Sequence, residues 1–248
     1  MMTYTFEFLY WLGVNPEKKT TAYWTQDARF QYAVAALGLI ELLSNKNITW
    51  TTDKKLVVLP ALPPEDLLLR QVWEMLSAKP RAIKTMLQNM VHGKVAFMRQ
   101  VKARLIAQNC LKIEEKRFLG VIPYRNTHIV SDAERLAYQT RLQNIIQGDE
   151  KATLQDFILL KVANACKIQR IVDSLSKGQA QKDFIAKFAD WATQKTAHDD
   201  VLAFLETLGL EKDLGELADM LDTLTDMVDS IGDAAADAGD GGGGDSSD

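Results

Sequence analysis

The segment from residue 154 to residue 175 is apolar on nearly every side, and this property constrains the fold of the whole chain. Its large apolar residues are Leu154, Phe157, Ile158, Leu160, Val162, Ile168 and Val172. A helix with no polar side has to be surrounded by other elements, because water would otherwise contact its apolar surface. Thr153 precedes the segment and can cap its first turn. We therefore predict a mainly α-helical protein whose core is built around this segment.

Further helices are predicted wherever apolar residues recur at helical intervals. They cover residues 4–12, 28–43, 65–76, 81–91, 94–109, 132–148 and 181–194. Residues 47–59 instead alternate apolar residues with threonines, which predicts a β-hairpin. A second hairpin is predicted over residues 111–130. Together these patterns predict a compact helical domain over residues 1–200, with a central buried helix and two β-hairpins.

The two signs of charge are separated along the chain. Residues 211–248 carry 12 acidic residues and one basic residue, whereas residues 1–210 carry 28 basic and 21 acidic residues. The body is therefore +7 and the C-terminal segment −11, although the whole chain is only −4. Such a separation favours an anionic partner for the body, or a C-terminal segment that masks the body.

The acidic C-terminal segment has its own helical pattern. Apolar residues recur at alternating steps of three and four between the aspartates, at Leu214, Leu217, Leu221, Leu224, Val228 and Ile231. This spacing predicts an acidic amphipathic helix over residues 211–233. Residues 234–248 are rich in glycine and aspartate, so we predict that they are disordered.

Several classes of function lack their sequence signals. No stretch reaches the roughly 18 apolar residues of a membrane-spanning helix, and no signal-peptide pattern opens the chain, so we expect a soluble, cytoplasmic protein. The two cysteines, Cys110 and Cys166, predict buried thiols rather than a disulfide framework. Glycine loops for phosphate, paired-cysteine motifs, zinc-binding histidine motifs and nucleophile motifs are all missing. We therefore expect no enzyme activity, no metal and no cofactor.

The positive charge of the body is concentrated in residues 70–117, which hold 11 basic and three acidic residues. In the helix predicted over residues 94–109, Phe97, Met98, Val101 and Leu105 form an apolar stripe. Arg99 and Lys102 lie together on one flank of that stripe, where they can share one phosphate group. Arg104 falls on the other flank. Charge alone is more typical of a solvated helix face.

The second hairpin combines an apolar tip with basic flanks. Its tip residues are Phe118, Leu119, Val121 and Ile122, and its flanking bases are Lys116, Arg117 and Arg125. An apolar tip inside a basic collar is typical of an anchor that inserts into an anionic membrane surface. The alternative is that these apolar residues pair into the protein core.

An ordered set of segments runs along the chain. It comprises an apolar N-terminal helix, Trp24, Leu39-Ile-Glu-Leu42, a hairpin, Asp66-Leu-Leu-Leu69, Met98-Arg-Gln-Val-Lys-Ala-Arg-Leu105, Leu111-Lys-Ile-Glu-Glu-Lys116, an apolar hairpin, and Thr127-His128 before a capped helix. This order resembles the Golgi phosphoprotein 3 family over residues 4–195, most strongly over residues 98–165.

The resemblance implies a non-catalytic protein that binds phosphatidylinositol 4-phosphate at membranes and self-associates through the hairpin. By position, Trp24 resembles the tryptophan of the family's headgroup pocket, and Arg99 and Lys102 resemble its paired basic residues. A further family arginine precedes the glutamate that matches Glu41 by six residues, and this chain has Ala35 there. The implied location is cytoplasmic and peripherally membrane-associated, with the hairpin tip inserting into the bilayer.

The residues themselves leave other functions open. Helix 28–43 followed by hairpin 47–59 resembles a winged-helix unit, and the basic segment would also suit a nucleic-acid backbone. Arg29 is the single base of that helix, however, and a recognition helix usually needs more. The acidic helix would also suit a protein-binding scaffold, or an internal mask that folds back on the basic face.

Overall fold

A computed structural model shows how the chain folds. The structure describes residues 2, 4–14, 27–51, 53, 55–59, 63–93, 95–118, 122–130, 132–173 and 178–193, with residues 222, 223, 225, 226 and 229. This part is mainly α-helical, with eight α-helices and two small antiparallel sheets. The predicted fold class is therefore confirmed.

The helices are α1 Thr5–Leu12, α2 Ala28–Ser44, α3 Leu67–Ser77, α4 Ile83–His92, α5 Phe97–Ala107, α6 Asp132–Gln147, α7 Leu154–Ala165 and α8 Gln179–Thr193. The strands are β1 Ile48–Trp50, β2 Lys55–Val58, β3 Arg81–Ala82, β4 Leu111–Phe118 and β5 Ile122–Ile129. Within the described ranges, each helix is too short or too polar to cross a membrane.

Helix α2 lies at the centre of the core, and 11 of its 17 residues are buried. It begins at Asp27, whose carboxylate accepts a hydrogen bond from the backbone N–H of Arg29. Helix α1 runs antiparallel to it. The ring of Tyr10 lies against Phe30 near the start of α2, whereas Thr5 bonds to Glu41 near its end. The small side chains of α2 allow its neighbours to approach closely.

Phe97 of α5 occupies the space that Gly38 leaves open on α2. A Cβ atom added at Gly38 would lie 2.6 Å from Cζ of Phe97. The same ring contacts Phe6 of α1 edge-on, with the ring centroids 5.4 Å apart. One aromatic side chain therefore joins α5 to both α1 and α2, and its fit depends on the missing side chain at residue 38.

Helix α7 is buried as predicted, but it ends at Ala165 rather than at residue 175. Lys167 stops it, because its φ angle of 55° lies in the left-handed region. Ile168 and Val172 are nevertheless buried. A turn and the short 3-10 helix at Gln169–Ile171 return them to the core. The apolar pattern of residues 154–175 therefore predicted burial correctly, but it predicted a helix that is too long.

The first predicted hairpin is confirmed and gains a third strand. Ile48 pairs with Val58 in the β1–β2 hairpin, and Leu56 of β2 pairs with Arg81 of β3 on its other side. Because Arg81 and Ala82 are extended in this pairing, α4 begins two residues later than the helix predicted over residues 81–91.

The second hairpin forms eight antiparallel pairs, from Leu111 with Ile129 at its base to Phe118 with Ile122 at its end. Leu111 and Thr127 are buried. Ile113 is already 39% exposed, and the other described side chains of β4 beyond Leu111 are exposed as well. Since both faces of β4 contact water there, the hairpin projects from the body.

We expect Gly38→Ala to lower the free energy of unfolding, because the new methyl group would overlap Phe97. Such overpacking costs about 1–3 kcal/mol, whereas alanine favours a helix over glycine by about 1 kcal/mol. Urea denaturation measures the difference. Adding Phe97→Leu in the same background should recover part of the loss. A gain in stability equal to the helix preference alone would show that the contact is not tight.

Candidate functional site

Helix α5 carries the predicted basic residues and packs against the core through its apolar stripe. Phe97, Val101 and Leu105 are buried and Met98 is half-buried, which confirms the predicted stripe. The apolar residues repeat at steps of three and four, so a single face of α5 meets the core. The charged side chains at the other positions therefore have defined directions relative to the body.

Arg99 and Lys102 lie on the same flank of α5, as predicted. They are three residues apart in a continuous helix, which places their Cβ atoms about 5–6 Å apart. Arg99 is exposed, whereas Lys102 is half-buried, and this burial lowers the pKa of the Lys102 ammonium. Among the described residues, no carboxylate forms an ion pair with either side chain.

The N-terminus of α5 adds further positive potential beside Arg99. Its N-cap residue is Ala96, which is in the left-handed conformation with φ 48° and has no side-chain oxygen to accept from the first turn. The backbone N–H groups of a helix N-terminus attract anions. The side-chain amide of Gln100 donates to the carbonyl oxygen of Val95 and to Oε1 of Gln71 in α3, which steadies the preceding loop.

Arg104 lies on the opposite flank and has a different role. Its Nη2 atom is 2.6 Å from Oδ2 of Asp66, and its Nη1 atom is 3.3 Å from Oε1 of Glu7. The guanidinium also lies over the ring of Tyr4, 5.6 Å from its centroid. Asp66 caps α3 through the backbone N–H groups of Leu68 and Leu69. Arg104 therefore ties α5 to α1 and α3.

More than one carboxylate surrounds the single cation of Arg104. Glu7 is 0% exposed. Glu41 accepts hydrogen bonds from the backbone N–H of Thr5 at 3.1 Å and from its hydroxyl at 3.0 Å. Burial raises the pKa of the Glu41 carboxyl, an effect that the Thr5 hydrogen bonds oppose and the nearby Glu7 charge reinforces. The two ion pairs of Arg104 hold α5 in place, whereas the ionised form of Glu41 opposes folding.

The role of Arg104 in joining α5 to α1 and α3 was not predicted from the sequence. Two signals were available. Asp66 precedes an apolar helical pattern, as a capping residue does, and Glu7 is an acid within an apolar segment, where a buried carboxylate requires a partner. Neither signal identifies Arg104, because the partners are 97 and 38 residues away from it in the chain.

The other predicted site residues are only partly within the described chain. Trp24, Leu119 and Val121 lie outside it, and for Phe118 and Ile122 only the backbone pairing is described. Ala35, which replaces the expected arginine, is 0% exposed in the core of α2. The structure therefore brings Arg99 and Lys102 together and leaves the positions of Trp24 and the tip side chains as predictions.

The remaining reactive side chains form no further site in the described part of the chain. Cys166 is buried, and burial raises the pKa of its thiol to about 12. Cys110 is half-buried rather than buried, and both thiols are free. His92 contacts Tyr32, and His128 lies beside Glu114. No group of three or more His, Cys, Asp or Glu residues among the described ones is placed to hold a metal ion.

The chain matches a known protein family. The model of the family described as Golgi phosphoprotein 3 (GPP34) matches residues 6–207, which is most of the chain. No curated protein matches the chain. The matched region contains α2 to α8 and all of α1 except its first residue, and it stops before the acidic C-terminal segment.

We expect Arg104→Ala to lower the free energy of unfolding by about 3–5 kcal/mol, because it would leave the buried charge of Glu7 without its cation. Arg99→Ala is the matched control. It removes the same side chain five residues away on the exposed flank, and should change stability by less than about 0.5 kcal/mol. Chemical denaturation of both variants measures the contrast, and equal losses would show that Arg104 is not a structural tie.

We expect Glu41→Gln to stabilise the protein at pH 7. The raised pKa means that the folded protein prefers the neutral carboxyl, so ionised Glu41 opposes folding as pH rises through that pKa. Glutamine keeps an oxygen to accept from Thr5 without the charge. The gain should disappear below the ordinary glutamate pKa of 4.5, where both folded and unfolded chains are protonated. A gain that is the same at pH 3 and pH 7 would contradict this explanation.

Proposed function

The chain belongs to the Golgi phosphoprotein 3 family, and we propose that it is a non-catalytic peripheral membrane protein of the cytoplasmic face that binds anionic lipid headgroups. Phosphatidylinositol 4-phosphate is the proposed ligand. Its monoester phosphate carries a charge of about −2 at neutral pH and offers several acceptor oxygens. The proposed pocket consists of Trp24, Arg99 and Lys102.

The flank of α5 is the observation that carries the proposal. Arg99 and Lys102 project from adjacent turns beside a helix N-terminus that has no side-chain cap. Two cations and a helix N-terminus on one side can together contact one phosphate group. Arg104 does not compete for the same anion, because Glu7 and Asp66 already neutralise it.

Lys102 supports an anionic ligand for a second reason. Burial makes its charged form less favourable, as the lowered pKa indicates. A phosphate next to the ammonium would restore favourable interactions of the charged form and raise that pKa again. A cation that is partly buried beside no described carboxylate is better suited to a ligand than to a purely solvated surface.

The projecting hairpin is the proposed membrane anchor. A two-stranded hairpin is marginally stable in water on its own, so its outer half benefits from a covering surface. We propose that Phe118, Leu119, Val121 and Ile122 enter the bilayer while the flanking bases stay among the headgroups. Each base near an anionic leaflet contributes about 1 kcal/mol. A second copy of the chain is the other proposed cover, and would give a homo-oligomer through the hairpin.

Ala35 bears on the selectivity of the proposed pocket. The matching family position carries an arginine, whereas here a small side chain lies inside the core. Lys102 is a point charge and lacks the planar fork with which arginine recognises phosphate oxygens. We therefore propose that this chain discriminates less sharply between anionic headgroups than a pocket with three arginines would.

The nucleic-acid alternative loses its main support. The helix that would enter the major groove is α2, and most of its residues are buried between the other helices. Its base Arg29 is paired with Asp27 at 2.6 Å. A recognition helix has to be exposed along one side to reach base edges. The described part of the chain therefore favours a lipid headgroup.

We expect Arg99→Ala with Lys102→Ala to weaken binding to anionic vesicles about tenfold or more, since each cation contributes about 1 kcal/mol. Vesicle co-sedimentation should compare neutral phosphatidylcholine with the same lipid containing phosphatidylinositol 4-phosphate, and with phosphatidylserine at equal surface charge. Lys79→Ala with Lys84→Ala is the matched control, because it removes two exposed cations of the same basic segment.

The control pair should keep most of the binding. Equal binding to neutral and anionic vesicles, or equal effects of the two double variants, would overturn the proposed site. Binding that follows surface charge without a preference for phosphatidylinositol 4-phosphate would retain the membrane function and reject the named headgroup.

A further inference from the structure

The acidic C-terminal segment lies outside the family match, which ends at residue 207. This segment carries a net charge of −11, whereas residues 1–210 carry +7. The described residues of this segment are Asp222, Thr223, Thr225, Asp226 and Asp229, and all of them are helical. The amphipathic helix over residues 211–233 as a whole stays a prediction.

The aspartates of this helix share one face. Asp222, Asp226 and Asp229 follow one another at steps of four and three, and all three are exposed. Thr223 and Thr225 are half-buried. The segment therefore presents a row of carboxylates on one side, while its apolar positions follow a separate seam in the sequence.

One of these carboxylates contacts the body. Asp229 forms an ion pair with Nζ of Lys167, and the two side chains remain 50% and 53% exposed. Lys167 is held in the left-handed turn after α7, where the next residue, Ile168, is buried and donates its N–H to the carbonyl of Ala163. The ammonium thus projects from a fixed point of the body towards the acidic helix.

The turn after α7 offers a second cation and a neighbouring helix end. Arg170 is exposed three residues beyond Lys167. Asp27 and Arg29 lie close enough to Cys166 for their charges to act on its thiol pKa. Lys167 directly follows Cys166 and therefore lies near the N-terminal end of α2. We call Lys167 and Arg170 the α7 turn surface.

We propose that the acidic segment, residues 211–233, docks on the α7 turn surface and competes with anionic lipid for Lys167 and Arg170. This inference rests on the proposed lipid-binding function and adds its regulation. The competitor is the chain's own C-terminal segment, which lies outside the residues that match the family. Release of the helix exposes the cations to a membrane.

The energetics suit a reversible mask. A single exposed ion pair contributes about 0–1 kcal/mol, so no one contact holds the helix firmly. Because the helix is tethered to the body, its effective concentration is in the millimolar range and weak contacts are enough for docking. An anionic bilayer offers many charges at once and can displace it. Salt should weaken the docking, since exposed charges are screened over about 8–10 Å at ordinary ionic strength.

Zero-length carbodiimide crosslinking of the full-length chain tests the docking without lipid. We expect an Lys167–Asp229 amide within one chain, with a yield that does not depend on protein concentration and falls at high salt. Lys167→Gln should abolish this product. Lys187→Gln, which removes an exposed lysine of α8, is the matched control and should leave it unchanged. Absence of the crosslink, or a crosslink between two chains only, would overturn the docking.

Vesicles test the competition. Vesicles containing phosphatidylinositol 4-phosphate should lower the yield of the Lys167–Asp229 crosslink, whereas neutral vesicles should not. The full-length triple variant Asp222→Asn, Asp226→Asn, Asp229→Asn should bind anionic vesicles about threefold to tenfold more tightly at low salt. The matched control is Asp237→Asn, Asp240→Asn, Asp245→Asn, which removes the same charge beyond the helix.

The outcomes separate this inference from the function on which it rests. If both triple variants gain equally, general repulsion from the acidic segment is the cause and docking-based competition is wrong. If vesicles bind the protein but leave the crosslink yield unchanged, competition is again wrong while lipid binding stands. If the crosslink forms and no variant binds any vesicle, the docking stands, and the proposed function fails together with the competition.

Discussion

The ion cluster around Arg104 is the interaction on which the orientation of α5 depends. Its guanidinium spans Glu7 of α1 and Asp66 at the start of α3, and Glu7 is fully buried. A charge buried in this way needs its partner, so the contact leaves α5 little freedom to rotate. With one flank held inward, the flank that carries Arg99 and Lys102 is held outward. The same helix thus supplies a structural cation and two available ones.

Local patterns predicted the helices well and the contacts between them poorly. Apolar periodicity identified α1 to α8, because burial on one side sets that periodicity wherever the helix packs. It failed at Lys167, where a single left-handed residue turns the chain without interrupting the apolar pattern. It could not reveal the role of Arg104 either. On charge alone, Arg99, Lys102 and Arg104 look alike, and only distant residues such as Glu7 distinguish them. Trp24 and the hairpin tip stay predictions.

The basic residues of this protein differ in how deeply they are buried as well as in where they lie along the sequence. The basic segment reads as one block, yet Arg104 is neutralised inside the fold, Lys102 is partly buried, and Arg99 is exposed. Ala35, at the position where the family resemblance predicts an arginine, lies in the core. The acidic helix then adds a carboxylate at Lys167 from outside. Binding by this chain therefore depends on which cations remain uncovered, and the net charge of −4 conceals this.

The hairpin of β4 and β5 has a consequence for how two copies could join. In the described part of the chain its strands pair only with each other, so no further strand covers the outer edge of β4. Antiparallel alignment of two such edges with Glu114 opposite Glu115 would place like charges together along the seam, which is destabilising. A shift that sets Glu114 opposite Arg117 would instead alternate the signs. Setting Lys112 opposite Glu115 would alternate the signs as well. If two copies pair along this edge, the order of charges on β4 therefore favours a few registers and disfavours those that place like charges opposite each other.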